Sequence, residues 1–226
     1  EPLEPDTLSY LTSPTLESCT VHNYETDTDG GVYDFAAAQD APYDLFLSGS
    51  RSLLRIDNPD ALWDRTLVVF RDSFCKKLYP MLADSFSKVT FVWSTSVMYS
   101  IVENEQPDLV IMDISMPGMN GVEASRAILQ IRPETRILIY TGHEDQRHLL
   151  ELIQLGIMGH VCKSDPPSVL LQAIDAVWQG EVFLSCADPG GCMAALRRSR
   201  AGAYTLDQAL PLQLSASRPR PSPIRR

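Results

Sequence analysis

The sequence predicts an α/β protein built on a five-stranded parallel, doubly wound sheet with irregular N- and C-terminal extensions. Three observations carry that expectation. Short continuous apolar runs, such as Leu67-Val68-Val69-Phe70 and Leu109-Val110-Ile111-Met112, are of the kind a parallel sheet buries on both faces. Segments with apolar residues at helical spacing separate the runs. Polar residues follow the runs directly, Arg71-Asp72-Ser73 after the first and Asp113 after Met112, at the carboxyl ends of strands where open α/β sheets place their chemistry.

The elements follow in order. Residues 1–64 read as an acidic, irregular N-terminal segment rich in Thr, Ser, Asp and Pro. Within it Asp29-Gly30-Gly31 is a turn signal, and Val32 to Phe35 and Tyr43 to Leu47 are short strand candidates. Strand 1 is Leu67 to Phe70. Phe74, Leu78, Leu82 and Phe86 then recur every four residues as a helical stripe, which Pro80 kinks or restarts. Val89 to Trp93 is the second strand and Ser96 to Glu105 the second helix. The strand ending at Asp113 comes next, then a helix over Gly121 to Arg132 stopped by Pro133. Arg136 to Tyr140 is the fourth strand, and Glu144 to Leu155 the helix closed by Gly156. Gly159 to Cys162 is the fifth strand. Asp165-Pro166 supplies a cap and first helical position for a last helix over Val169 to Gln179, ended by Gly180. Strands alternating with helices in this way predict helices on both faces and a flavodoxin-like strand order. Residues 186–226 are a Pro/Arg/Ser-rich tail that cannot bury a core.

Composition narrows the function classes. The 226 residues, 44% of them hydrophobic, suffice for one ordinary domain with extensions. The formal charge of −10 is unevenly spread: residues 1–50 hold ten acids and no Lys or Arg, whereas residues 186–226 hold seven Arg against two Asp. Such opposed ends argue against one uniform nucleic-acid surface and read as solvated segments that attract each other weakly. The residues after Ser185 show no helix-turn-helix pattern, so no nucleic-acid-binding domain is expected. Cys19, Cys75, Cys162, Cys186 and Cys192 form no pair or group with metal spacing, which fits reduced thiols in a cytoplasmic protein. No apolar run is long enough to span a membrane and no basic-then-apolar leader opens the chain, so cytoplasmic location and no membrane contact are expected.

Two family resemblances follow from the motifs. Pro107-Asp108-Leu109-Val110-Ile111-Met112-Asp113-Ile114-Ser115-Met116-Pro117-Gly118-Met119-Asn120-Gly121, with Thr141-Gly142 and Gly159-His160-Val161-Cys162-Lys163-Ser164-Asp165 behind it, closely resembles the response-regulator receiver domain over residues 107–185. The resemblance implies a phosphoryl group accepted on Asp113, with the Thr141 hydroxyl bonding it and Lys163 pairing with it. His160 stands where the family has an aromatic switch residue, so Thr141 and His160 are the implied switch pair. Implied partners are a histidine kinase or phosphotransfer protein and a second receiver copy. The implied cofactor is Mg²⁺, held by Asp72, Asp113 and the backbone carbonyl of Ser115. Family members carry two adjacent acids at the end of strand 1, where this chain has Arg71-Asp72, and a guanidinium there weakens the metal site or supplies a substitute charge.

The stretches Tyr43 to Gly49, Leu54 to Pro59, Thr66 to Phe74 and Leu82 to Phe86 resemble the carboxyl-terminal part of the DHHW and alginate-acetyltransferase-like branch of SGNH hydrolases. That resemblance implies Ser73, in Asp72-Ser73-Phe74, as a nucleophile. A nucleophilic serine needs a base held by a third group, and residues 1–72 contain no Asp-x-His pair, with His22 as their one histidine. Ser73 therefore reads as a helix cap and no enzymatic activity is expected. The domain reading is a receiver-like domain over 65–185, its part 65–106 from an SGNH-like half and 107–185 receiver-like. The alternatives are an SGNH-like esterase or O-acyltransferase fragment using Ser73, and a composite pseudo-receiver in which Asp113 is bonded to Lys163 and is not phosphorylated.

Overall fold

The computed structural model describes residues 10, 12–47, 49, 51–71, 78–94, 98–116, 118–142 and 146–185. Among them a nine-stranded sheet runs in the order β2-β1-β3-β5-β4-β6-β7-β8-β9. Its centre is parallel: β4 (Trp63–Phe70), β5 (Phe86–Val92), β6 (Leu109–Met112), β7 (Arg136–Thr141) and β8 (Gly159–Cys162). Taken by position in the chain, these five stand in the order 2-1-3-4-5, the flavodoxin-like order the alternation predicts.

The apolar runs form strands because both of their faces are covered. Leu67 and Val69 of β4, with Leu109 and Ile111 of β6, face a core closed by α3 (Tyr79–Ser85) and α7 (Pro167–Trp178). Val68, Phe70, Val110 and Met112 alternate onto the other face, under α4 (Met98–Glu105), α5 (Gly121–Ile131) and α6 (Gln146–Gln154).

The sheet is larger and more mixed than the five parallel strands expected. Residues 1–64 were expected to be irregular, yet β1 (Thr20–Asn23), β2 (Thr28–Gly30) and β3 (Leu53–Asp57) lie there. They extend the β5 edge in antiparallel sense, with Leu53 opposite Val92 and Asp57 opposite Lys88. The cause is a short alternation: Leu54 and Ile56 are buried while Leu53, Arg55 and Asp57 are partly exposed, enough to hold a strand once a neighbouring edge exists. Two side-chain clamps fasten this extension to α3. Ser13 caps the short helix α1 (Pro14–Glu17) and donates to Asp84 Oδ1 at 2.8 Å, and buried Asn58 donates to the carbonyl of Ala83 at 2.7 Å. At the opposite edge β9 (Phe183–Leu184) adds a parallel pairing to β8.

Several local expectations shift. Tyr43 to Leu47 is not a strand: residues 42–44 form a 3₁₀ turn, and Phe46 makes a single bridge to Tyr33. Asp29 and Gly30 lie in β2 rather than in a turn, and His22 sits on β1 with its Nδ1 2.8 Å from Asp29 Oδ1. Phe86 opens β5 instead of closing the first helix, because α3 restarts at Tyr79 with Pro80 in its first turn. Asp165 does not cap α7; Pro166 takes that place and the Asp165 carboxylate turns back to Cys162 N. Phe74, Cys75, Ser96, Val97, Pro117, His143 and the tail over 186–226 lie outside the described residues.

Candidate functional site

The site is built where the winding of the sheet reverses, between β4 and β6. Asp113 follows β6 directly, and its backbone N–H donates to the carbonyl of Phe70 at 3.0 Å, which ties it to the end of β4. Its side chain is 1% exposed. Oδ2 accepts from Lys163 Nζ at 2.8 Å and Oδ1 from the backbone N–H of Ser115 at 3.1 Å, so each carboxylate oxygen has a donor.

The loop after Asp113 is folded tightly. Gly121 N–H donates to the carbonyl of Ile114 at 3.1 Å, and Asn120 caps α5 by accepting from Val122 N–H at 2.8 Å. A Cβ on Gly121 would stand 2.2 Å from the carbonyl oxygen of Asp113, so that position has room only for hydrogen. Ser115, in this loop, is exposed.

The neighbouring strand ends supply the remaining residues. Thr141, buried, ends β7, and its carbonyl accepts the backbone N–H of Lys163 at 2.8 Å. The Lys163 ammonium lies 6.0 Å from the centre of the Tyr140 ring. His160 is buried on β8, with Nδ1 2.9 Å from the carbonyl oxygen of Ser185. Asp113, Thr141 and Lys163 therefore converge, while His160 reaches the sheet edge beyond them.

Arg71 has a use the sequence alternatives did not include. It is 0% exposed, donates to the carbonyl of Arg51 at 2.7 Å, and its guanidinium lies 5.0 Å from the Tyr79 ring centre and 5.4 Å from that of Trp93. The guanidinium is thus used to hold the N-terminal extension. Asp72 and Ser73 lie outside the described residues, so the metal ligand and the alternative nucleophile proposed at those positions have no described geometry. Among the described residues no group of three or more His, Cys, Asp or Glu gathers as a metal centre. The Asp113 carboxylate and the Ser115 backbone carbonyl are oxygen donors of the kind that suits Mg²⁺.

The family model of the response regulator receiver domain matches residues 72–175. That segment is a response-regulator receiver domain. The match includes residues 72–106, which the motif reading had placed in the SGNH-like half. Over 84 residues the receiver stretch is 33% identical to the transcriptional regulatory protein DegU of Brevibacillus brevis, covering 37% of this chain and 36% of that protein. Over 87 residues it is 36% identical to the oxygen regulatory protein NreC of Staphylococcus carnosus, covering 38% and 40%. A crystal structure of a two-component response regulator of the LuxR family from Aurantimonas sp. is 28% identical, with a TM-score of 0.49 over 61% of this chain and 97% of that one.

Both curated relatives are named as regulatory proteins. The matched stretch spans about two fifths of the length of the curated relatives, 36% and 40%. One expectation is overturned: nucleic-acid binding was set aside, yet DegU is named a transcriptional regulatory protein. Most of each regulator lies beyond the matched stretch, and residues 186–226 do not represent it. No helix among the described residues is long and apolar enough to cross a membrane.

The sequence motifs missed Ser185 and Asp165, which hold the far side of β8, and the structural use of Arg71. A signal for Arg71 existed: a lone Arg directly after a fully buried strand must find partners for its charge.

Proposed function

We propose that Asp113 accepts a phosphoryl group from a histidine-kinase or phosphotransfer donor and that Thr141 and His160 relay the change. The observation that carries this reading is the 2.8 Å pairing of Lys163 Nζ with the buried Asp113 carboxylate at the end of the central strand. A carboxylate oxygen attacks phosphorus, the donor's phosphorus–nitrogen bond breaks as the new phosphorus–oxygen bond forms, and the nitrogen leaves with its electron pair. Lys163 keeps positive charge beside the incoming oxygens, and the Thr141 hydroxyl donates to one of them.

Asp113, the Ser115 carbonyl and Asp72 would hold Mg²⁺, which when bound offsets the negative charge of donor and acceptor. With Arg71 in place of a second acid, the metal is held more weakly than by an acid pair. The same reading makes this chain the receiver part of a transcriptional regulator, as the name of DegU suggests, and places it in the cytoplasm.

The test is incubation with a small phosphodonor, with and without Mg²⁺, followed by intact mass. A one-phosphoryl adduct that disappears in Asp113→Asn supports the reading. Absence of any adduct in either condition leaves the composite pseudo-receiver instead.

A further inference from the structure

Three hydrogen bonds fasten Ser185 to β8 and to the loop that carries Lys163. The backbone N–H of Ser185 donates to the carbonyl of His160 at 2.8 Å, and the carbonyl of Ser185 lies 2.9 Å from His160 Nδ1. The Ser185 hydroxyl donates to Asp165 Oδ2 at 2.5 Å. That same oxygen accepts the backbone N–H of Cys162 at 3.1 Å, one residue before Lys163.

We propose that His160, Asp165 and Ser185 form an output clasp, which holds the chain leaving the receiver while Asp113 is unmodified and opens when Lys163 is drawn to a phosphoryl group. It rests on the reading of Asp113 as phosphoacceptor and adds the place where the signal leaves the domain.

The coupling is short and physical. Lys163 has one end on Asp113 Oδ2 and the other on the turn closed by Asp165. Moving the ammonium towards new anionic oxygens pulls residues 162–165, and Asp165 can keep both of its donors only while that turn holds its shape. The clasp secures a strand of only two residues, Phe183 and Leu184, paired to β8 through Gly159 and His160. A strand so short has little pairing of its own to retain it, so loss of the side-chain bonds releases it from β8.

The experiment is amide hydrogen exchange on the full chain, read at Ser185 and, as a control for global unfolding, at Val110. Ser185→Ala is expected to exchange about tenfold faster at residue 185 without change at Val110, the size expected for losing one charge-assisted bond. Phosphodonor treatment of the unsubstituted chain is expected to give a similar acceleration, absent in Asp113→Asn. If mass shows a full adduct while exchange at Ser185 stays the same, the clasp is wrong and the phosphoacceptor reading stands. If no adduct forms, Lys163→Ala decides without phosphate: an acceleration at Ser185 larger than that at Val110 supports the clasp, and an equal or absent acceleration overturns it.

Discussion

The guanidinium of Arg71 donates to the backbone carbonyl of Arg51 at 2.7 Å, joining the end of a central parallel strand to the N-terminal extension. The rings of Tyr79 and Trp93 lie near it at 5.0 and 5.4 Å. Each such ring contact contributes about 0.5–2 kcal/mol in a desolvated setting. Arg71→Asp restores an acid where receivers carry one, yet it places a buried carboxylate against a carbonyl and two aromatic faces. Electrostatic cost outweighs any gain in metal binding, and the substitution is expected to destabilise the fold by about 3 kcal/mol or more, measured by urea unfolding.

Ile56 tests whether the extension belongs to the same cooperative unit. It lies on β3, outside the family match that begins at residue 72, and is 0% exposed in the same core as Leu67 and Phe91. Ile56→Ala is expected to cost about 2–5 kcal/mol, visible as earlier urea unfolding of the whole domain. An appendage folded by itself would leave the exchange protection of Val110 unaltered, and that result would separate the extension from the receiver.

These two residues also mark where sequence reading ran out. The central strands were legible because each is a continuous apolar run with a turn or helix stop on either side, as in Leu109 to Met112. Asp113, Thr141 and Lys163 stand at strand ends in the sequence pattern, while their roles came from the receiver resemblance; of these the structure gives the Lys163–Asp113 contact. β3 was not, since Leu53, Arg55 and Asp57 dilute it to two buried positions whose burial comes from distant parts of the chain. The role of Arg71 was likewise set by Arg51, Tyr79 and Trp93, which no local pattern brings together.

Gly121→Ala sets two effects against each other. At an ordinary helical position alanine gains about 1 kcal/mol over glycine. Here the added Cβ would stand 2.2 Å from the Asp113 carbonyl oxygen and 2.7 Å from the Ile114 Cα, so backbone must move. Steric cost wins, with an expected net loss of about 2 kcal/mol. Because the displaced carbonyl belongs to Asp113, phosphoryl acceptance should slow as well, measured by the rate of adduct formation.

Cys19 provides a pH signature of the extension. Burial, together with the Asp84 and Asp60 carboxylates, pushes its thiol up to about 11 from 9.0. The folded state then binds the proton more tightly than the unfolded chain does. This contribution to stability is fully present below about pH 9 and is lost as pH rises through about 11. Alkylation at Cys19, followed by peptide mass at pH 8.5, is expected to be about a hundredfold slower in the native protein than in urea. Equal rates would show that the thiol is not held in this setting.

The Asp113–Lys163 pair separates a role in stability from one in signalling. Its 2.8 Å contact involves a carboxylate that is 1% exposed and an ammonium side chain that is 15% exposed. Removing Lys163 alone leaves a buried carboxylate whose other oxygen accepts from the Ser115 N–H, so Lys163→Ala is expected to cost about 3 kcal/mol. Asp113→Asn removes the charge but retains the shape and should cost less. In the double variant the unpaired charge is gone, so its loss should be smaller than the sum of the two single losses by about 1–3 kcal/mol. Urea unfolding of the four proteins measures this coupling. Strict additivity would mean that the ammonium does not stabilise the acceptor carboxylate in solution, and Lys163 would then be available to an incoming anion without first breaking an ion pair.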